Sequence, residues 1–274
     1  MYHKSFADCF APQEPAVEKP WQAQLPRRGW AWEFLRRHAA YRADYLASLV
    51  GAADPGAWGL LHFCDPDLDA MSAAVLWRPE ESPEVLPLTA SQQPGDGIRL
   101  DFDRLPRCAF RHFDAKLRRH DLLIGEAGRF LQLTVFGERC IGQAGLLVSA
   151  LGDHAEITAR TVALLRLNDV LATGSMCASL YPAENRARRL SQVLTALDGS
   201  LHGLSQREIA HQMVGSWRVE REWNHPNENL RDQVRRAVAC GRQLMTGGYR
   251  QFLRLTFGRR IAFDRSVRHS KHQA

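Results

Sequence analysis

Arginine is concentrated in the last quarter of this 274-residue chain, where its spacing could serve phosphate and guanine binding. Residues 201–274 contain 13 arginines and one lysine but only six acidic residues, a formal charge of +8. The other residues sum to −2, so the +6 of the whole chain arises in this segment. The planar guanidinium group makes paired hydrogen bonds to phosphate and to guanine. A basic segment beside a near-neutral body indicates a nucleic-acid-binding protein.

The first recognisable element in this segment is the stretch LSQREIAHQMVG at residues 204–215. Ser205 is a favourable helix N-cap, and Glu208 three residues later completes a capping box. Gly215 is placed to end the helix, which therefore spans residues 206–214. Its free backbone N–H groups favour bound anions. Three residues at this N-terminus are candidate phosphate contacts: Ser205, Gln206 and Arg207.

A longer helix is predicted over residues 230–246, after the break at Pro226. One face is apolar, and an arginine-bearing helix of this length fits a major groove about 12 Å wide. The alternative is a solvated basic helix without a ligand. The candidate base contacts lie on the neighbouring face: Arg231, Arg235 and Arg242, with Gln233 and Arg236 as helpers.

Twelve residues, 216–227, separate these two helices, which is more than a familiar helix-turn-helix contains. Trp217 and Trp223 in this insertion either pack onto the core or belong to an extended wing. With a further helix at about 184–197, the segment makes a trihelical helix-turn-helix domain. Four more residues complete the candidate DNA contacts: Arg218, Arg221, Tyr249 and Arg250.

The residues before this domain predict helices followed by a small antiparallel sheet, so the expected fold class is α+β. The pattern predicts a helix or helix pair with a buried stripe of side chains at near-helical spacing: Trp30, Phe34, Tyr41, Tyr45 and Leu49. From about residue 85 to 151 the apolar residues alternate with a period of two, and glycines 125 and 128 suit a hairpin turn.

A helix is also predicted over residues 156–173, ending at Gly174. Its expected buried face consists of Ile157, Val162, Leu165 and Val170. The expected division of the chain is a flexible N-terminus (1–27), a regulator-like domain of helices and antiparallel sheet (28–152), the helix-turn-helix domain (153–260) and a basic tail (261–274).

Several classes of function are disfavoured. The six cysteines occur singly, which argues against a zinc site and against disulfides. No phosphate-binding loop, dinucleotide fingerprint, zinc-protease or serine-hydrolase motif is present, so we expect no enzyme activity, no catalytic residues, no metal and no cofactor. The N-terminus lacks an apolar signal region, and no apolar run approaches the length of a membrane span. We therefore expect a cytoplasmic protein without a membrane partner.

Two blocks of this sequence resemble a known family of regulators. Residues 188–215 and 230–253, the latter reading LRDQVRRAVACGRQLMTGGYRQFL, resemble the DNA-binding domain of the RovC type. That type occurs in activators of type VI secretion and in excision regulators of integrative and conjugative elements. Residues 28–45, which are rich in tryptophan and tyrosine, together with residues 76–88 are similar to the transcriptional regulator-like domain that often precedes it.

The resemblance implies a helix-turn-helix activator that assembles as a homo-oligomer on promoter DNA. We therefore expect a sequence-specific transcriptional regulator of secretion-system or mobile-element genes, with RNA polymerase or another regulator as a further partner. The resemblance also implies that some members with only the C-terminal domain bind protein activators instead of DNA, so the alternative is an antiactivator-like interaction module. The sheet region is compatible with a small-molecule effector, an oligomer interface or neither.

Overall fold

A computed structural model describes residues 20–51, 53–90, 105, 108–126, 128–137, 146–148, 154–224 and 229–254. The expectations for the flexible N-terminus before residue 20, for the break at Pro226 and for the basic tail lie outside these residues. The described elements follow in the order α1 (Arg27–Leu35), α2 (Ala39–Ser48), β1 (Leu86–Ala90), β2 (Cys108–Asp114), β3 (Arg119–Glu126), β4 (Arg129–Phe136), β5 (Leu146–Val148), α3 (His154–Thr173), α4 (Ala187–Leu201), α5 (Gln206–Val214), α6 (Ser216–Glu222) and α7 (Asn229–Met245). The expected α+β class is confirmed.

The five strands form one sheet in the order β2-β3-β4-β1-β5. β3 and β4 form the expected hairpin, and Gly128 in its turn has a φ of +77° that favours glycine. The sheet is mixed and not purely antiparallel, because β1 pairs parallel to β4. Turn signals constrain only strands that follow one another along the chain, and β1 pairs instead with strands that come later.

α3 packs on this sheet and closes a second, smaller hydrophobic core. The face predicted for this helix was wrong in part, since Ile157 and Leu165 are 46% and 45% exposed. α3 buries two alanines that are four residues apart and therefore lie on the same face of the helix. Their small side chains let the helix approach the sheet closely. The buried apolar residues of α3 are Ala159, Ala163, Leu167 and Val170.

The larger core joins the N-terminal helices to the C-terminal ones. The helix pair is confirmed, and Trp30, Phe34 and Tyr41 are completely buried. The predicted burial was wrong for Leu49, which is 67% exposed, while Tyr45 is half-buried. The Phe34 ring stacks on that of Phe252 with the ring centroids 6.0 Å apart. Residues 25–77 and 187–253 therefore share one apolar interior.

Buried ion pairs accompany this apolar contact. The carboxylate of Glu33 is fully buried and accepts hydrogen bonds from Arg36 Nε at 3.0 Å, Arg37 Nη1 at 2.8 Å and the Ala70 N–H at 2.8 Å. Arg37 also donates from Nη2 to Asp198 Oδ2 of α4 at 2.9 Å. Although burial lowers the pKa of Arg37, the hydrogen bond and charge of Asp198 raise it above its ordinary value. α1 and α4 are thus connected through one guanidinium group.

Replacing Arg37 with alanine is expected to lower the free energy of unfolding by about 3 kcal/mol, because it removes one partner of a buried carboxylate. Urea unfolding at an unchanged m value measures this loss. Arg42→Ala is the control, since Arg42 pairs with Asp67 where the side chains are 44% and 75% exposed. Its cost should stay below about 1 kcal/mol. Equal losses in the two variants would contradict the role given to burial.

Candidate nucleic-acid interface

The N-terminus of α5 has the predicted capping box. The Ser205 hydroxyl accepts from the Glu208 backbone N–H at 3.3 Å, and the Glu208 carboxylate accepts from the Ser205 N–H at 2.7 Å. The side-chain and backbone hydrogen bonds of Ser205 hold the pKa of Glu208 below its ordinary value. Gln206 and Arg207 are exposed on the first turn. The cap therefore leaves these two side chains at the helix N-terminus facing solvent.

The insertion between α5 and α7 contains a fourth helix, α6, so the domain is not trihelical and residues 216–222 are not a wing. Gly215 alone connects α5 to α6, with a φ of +82°. Val219 is fully buried, and Trp223 is half-buried against the larger core. The burial of Val219 holds α6 against the preceding helices.

The opposite side of α6 is exposed. Trp217 is 69% exposed, and the Arg221 guanidinium lies 4.4 Å from the centre of its ring. Arg218 pairs with Glu222 across one helical turn at 2.9 Å. Both arginines are exposed, but each has a partner within α6. The stacking of Arg221 on an indole orients its guanidinium group toward solvent-accessible space.

α7 has one strongly apolar side, by which it packs on α4 and α5. Gly241 lies where α7 crosses α4: a Cβ atom at this position would be 2.8 Å from Leu197 Cβ and 3.2 Å from the Val193 carbonyl oxygen. The glycine therefore permits a close approach of the two backbones. The buried residues of α7 are Leu230, Val234, Ala237, Gly241 and Leu244.

The exposed side of α7 carries arginine on two flanks. Arg235 and Arg242 are on one flank, where Arg235 pairs with Asp232 and Arg242 donates to the Ser200 hydroxyl at 2.9 Å. Arg236 lies on the other flank, and Ala239 between them is exposed and small. Arg231 is half-buried, with its guanidinium 5.4 Å from the centre of the Trp223 ring.

Two grooves follow the two flanks of α7. One, of about 390 Å³, brings together Gln206 of α5 with Arg235 and Arg242 of α7. The other, of about 310 Å³, brings Gln233 and Arg236 together with Arg189 and Gln192 of α4. Arg189 and Gln192 were not predicted from the sequence, although the basic run at 186–189 was a signal for the arginine. The arginine and glutamine residues of the two grooves together form the arginine surface of α4, α5 and α7: Arg189, Gln192, Gln206, Gln233, Arg235, Arg236 and Arg242.

Tyr249 and Arg250 lie away from this surface. Tyr249 is buried and its hydroxyl donates to the Trp58 carbonyl at 3.0 Å, while burial raises its pKa to about 12. Arg250 donates to the Ala57 carbonyl at 2.8 Å and to Glu81 at 3.3 Å. Both side chains attach the end of the helical domain to the N-terminal part of the chain.

Other kinds of site have less support among the described residues. In that part of the chain, no three histidine, cysteine or acidic side chains are grouped so that they could hold a metal ion. None of the helices described there has the length and apolar character needed to cross a membrane.

Comparison with protein families agrees with the order of these parts. Residues 150–254 match the RovC family model, which is described as a DNA-binding domain of a T6SS transcription factor. Residues 22–61 match a proteobacterial transcriptional regulator-like domain. No curated protein matches the chain. The two matches confirm the resemblance seen in the sequence, and both describe regulatory domains.

Gly241→Ala tests the close crossing that supports the arginine surface. Helix propensity alone would raise stability by about 1 kcal/mol. We expect the opposite, a loss of about 1–3 kcal/mol, because the new methyl group meets Leu197 Cβ and backbone. Thermal unfolding followed by circular dichroism gives the sign. Gln243→Ala, at an exposed site on the same helix, should leave the Tm nearly unchanged, and a raised Tm for Gly241→Ala would exclude the tight crossing.

Proposed function

We propose that this DNA-binding transcriptional regulator is a sequence-specific activator that places α7 in the major groove of promoter DNA. The proposal rests on the arginine surface, where α7 exposes arginine side chains on one side and buries its apolar residues on the other. The matching domain family is that of a T6SS transcription factor, which favours secretion-system genes as targets. Mobile-element genes are the second target class.

The dimensions of α7 suit this role. Its 17 residues span about 25 Å, and an α-helix with side chains is about 10–12 Å wide, close to the width of the major groove. Arg235 and Arg242 are seven residues apart on one flank, a rise of about 10 Å, which corresponds to roughly three base pairs. Each is able to donate in pairs to guanine O6 and N7. Arg231, Gln233 and Arg236 would contact neighbouring bases or phosphates.

Two contacts of these arginines in the free protein are weak enough to exchange for DNA. Arg235 and Asp232 have half-exposed side chains, 53% and 49%, and exposed ion pairs contribute about 1 kcal/mol or less. Arg242 donates to the neutral hydroxyl of Ser200. A guanine or phosphate partner replaces either contact at little cost.

Phosphate contacts would come from α5 and α6. The N-terminus of α5 combines free backbone N–H groups with exposed Gln206 and Arg207, while Ser205 completes the cap. Arg218 and Arg221 on α6 lie on exposed positions of the insertion. These contacts orient the protein on the duplex, whereas α7 reads the bases.

A homo-oligomer on repeated half-sites is part of the proposal. One helix reads few base pairs, and symmetric assemblies bring a second copy onto the next half-site. Contact with RNA polymerase would complete activation. The competing function is an antiactivator-like interaction module, favoured by the exposed apolar end of α2, where Leu46, Leu49 and Val50 are 64%, 67% and 83% exposed.

The double variant Arg235→Ala/Arg242→Ala tests base reading. Loss of two guanine contacts should weaken specific binding by about 2–6 kcal/mol, measured by fluorescence anisotropy on DNA from upstream of its own gene and of neighbouring operons. Arg78→Ala is the matched control, because Arg78 is an exposed arginine that pairs with Glu80 away from this surface. Equal affinity of the double variant, or no preference of the wild type over competitor DNA, would overturn the proposal.

Arg207→Ala tests a phosphate contact. We expect weaker binding to all sequences alike and a slope of log K against log salt that is less steep by about one, because one fewer counterion is released. A titration at several salt concentrations measures the slope. An interaction module that uses the apolar α2 surface predicts instead that partner binding changes little with salt in the wild type and in this variant.

A further inference from the structure

A small cavity lies between α1, α3, β4 and the chain directly before α4. It has a volume of about 80 Å³ and is open to solvent on one side. Its walls combine apolar side chains with three arginines, one carboxylate and one phenol. One of the arginines, Arg27, pairs with Glu184, and the other two are Arg28 and Arg166. The lining also includes Trp32, Glu84, Phe130 and Tyr181.

One of the two arginines is balanced by the protein itself. Arg166 is buried, and its Nη1 donates to Glu84 at 2.8 Å while Nε donates to the Leu180 carbonyl at 2.9 Å. Its guanidinium also lies 4.5 Å from the centre of the Tyr181 ring. Glu84 therefore compensates the charge of Arg166.

The second arginine is bound by neutral groups. Arg28 donates from Nη2 to the Val75 carbonyl at 2.8 Å and to the side-chain oxygen of Gln132. Burial lowers the pKa of Arg28 to about 10, where the carboxylate of Glu84 opposes the shift and Arg166 adds to it. The guanidinium groups of Arg28 and Arg166 thus share the one carboxylate of the cavity wall, which leaves a net positive charge.

The phenol has an unused hydroxyl. Tyr181 is 5% exposed, and its hydroxyl has no hydrogen-bond partner among the described residues. Burial raises its pKa to about 12, while Arg166 acts in the opposite direction, so the phenol is a neutral donor at pH 7. Buried hydroxyl groups in folded proteins are normally paired, which makes this one a candidate ligand contact.

We propose that this cavity binds a small organic anion. Its carboxylate or phosphate oxygens accept hydrogen bonds from Arg28 and from the Tyr181 hydroxyl, and its apolar part lies against Trp32 and Phe130. The volume of 80 Å³ is below the roughly 150 Å³ of a cavity that holds benzene, so the bound part is an anionic head with a few carbon atoms. The site requires no contact with DNA.

The position of the cavity connects a ligand to the DNA-binding helices. Arg27, next to Arg28, pairs with Glu184 at 3.0 Å just before α4, and it also donates to the Gln251 carbonyl at 2.7 Å. An anion that holds α1 against α3 therefore acts on the same segment that positions α4. This regulatory consequence rests on the proposed function, whereas binding of the anion does not.

Calorimetric titration of the full chain, without DNA, tests the binding itself. The probes are butyrate, n-butyl phosphate and the neutral butyramide at equal ionic strength. With at least one anion we expect heat of binding in this titration and a raised Tm in thermal unfolding. With butyramide we expect neither effect. Binding of only one anion identifies the head group as carboxylate or phosphate. Absence of binding for both anions, or equal binding of butyramide, would overturn the site, whatever the DNA experiments give.

Two variants with opposite expected signs sharpen the test. Tyr181→Phe should weaken anion binding about tenfold or more, because a hydrogen bond to a charged group is lost. It should not lower stability without ligand, since the hydroxyl has no hydrogen bond to lose within the described part of the chain. Glu84→Gln should strengthen anion binding by removing the negative charge while still accepting from Arg166.

Tyr41→Phe is the matched control for a buried phenol. Its hydroxyl donates to the Cys64 carbonyl at 2.7 Å, and Tyr41 is not among the lining residues although its ring packs on Trp32. Because the variant keeps that ring, it should lose stability and keep anion affinity. If Tyr181→Phe binds the anions as the wild type does, or if Glu84→Gln weakens binding, the assignment of the two groups is wrong.

Discussion

The buried carboxylate of Glu33 on α1 is the strongest single constraint on how the helices of this protein pack. Its carboxylate has no exposure to solvent, so each of its partners must be in place for the fold to tolerate the charge. Arg37 satisfies it and reaches Asp198 of α4 with the same guanidinium group. The stacked rings of Phe34 and Phe252 accompany this contact. Charge satisfaction and apolar packing together hold the N-terminal helices against the helices that carry the arginine surface.

This arrangement separates arginines that build the protein from arginines that face outward. Arg27, Arg37 and Arg166 have several protein acceptors each and belong to the interior or its margin. The contacts of Arg235 with Asp232 and of Arg242 with Ser200 lie at exposed positions of the described surface. The interior arginines hold α4 and α7 in place against the rest of the protein. The exposed arginines are able to exchange their present contacts for phosphate or guanine. A net charge of +6 does not distinguish these two groups.

Local elements were largely predictable, and the packing of single faces was less so. The capping box at Ser205 and the hairpin turn at Gly128 depend on residues within a few positions of one another, so their patterns are readable in sequence. The buried face of α3 was misjudged, because its alanines face the sheet while Ile157 stays exposed. The helix in the insertion was also missed, since only seven residues carry its pattern and one valine anchors it.

The α+β class, the family resemblance and the basic helix are visible in the amino-acid sequence alone, because they follow from local periodicity and composition. Which polar groups are available to bind a ligand depends on the packing of the whole chain. Arg37 pairs with Asp198, which lies 161 residues away along the chain, and Arg27 pairs with Glu184, which lies 157 residues away. Such pairs depend on how the whole chain closes. For the same reason, the cavity lined by Arg28, Arg166 and Tyr181 exists only after α1, α3 and the sheet have packed together.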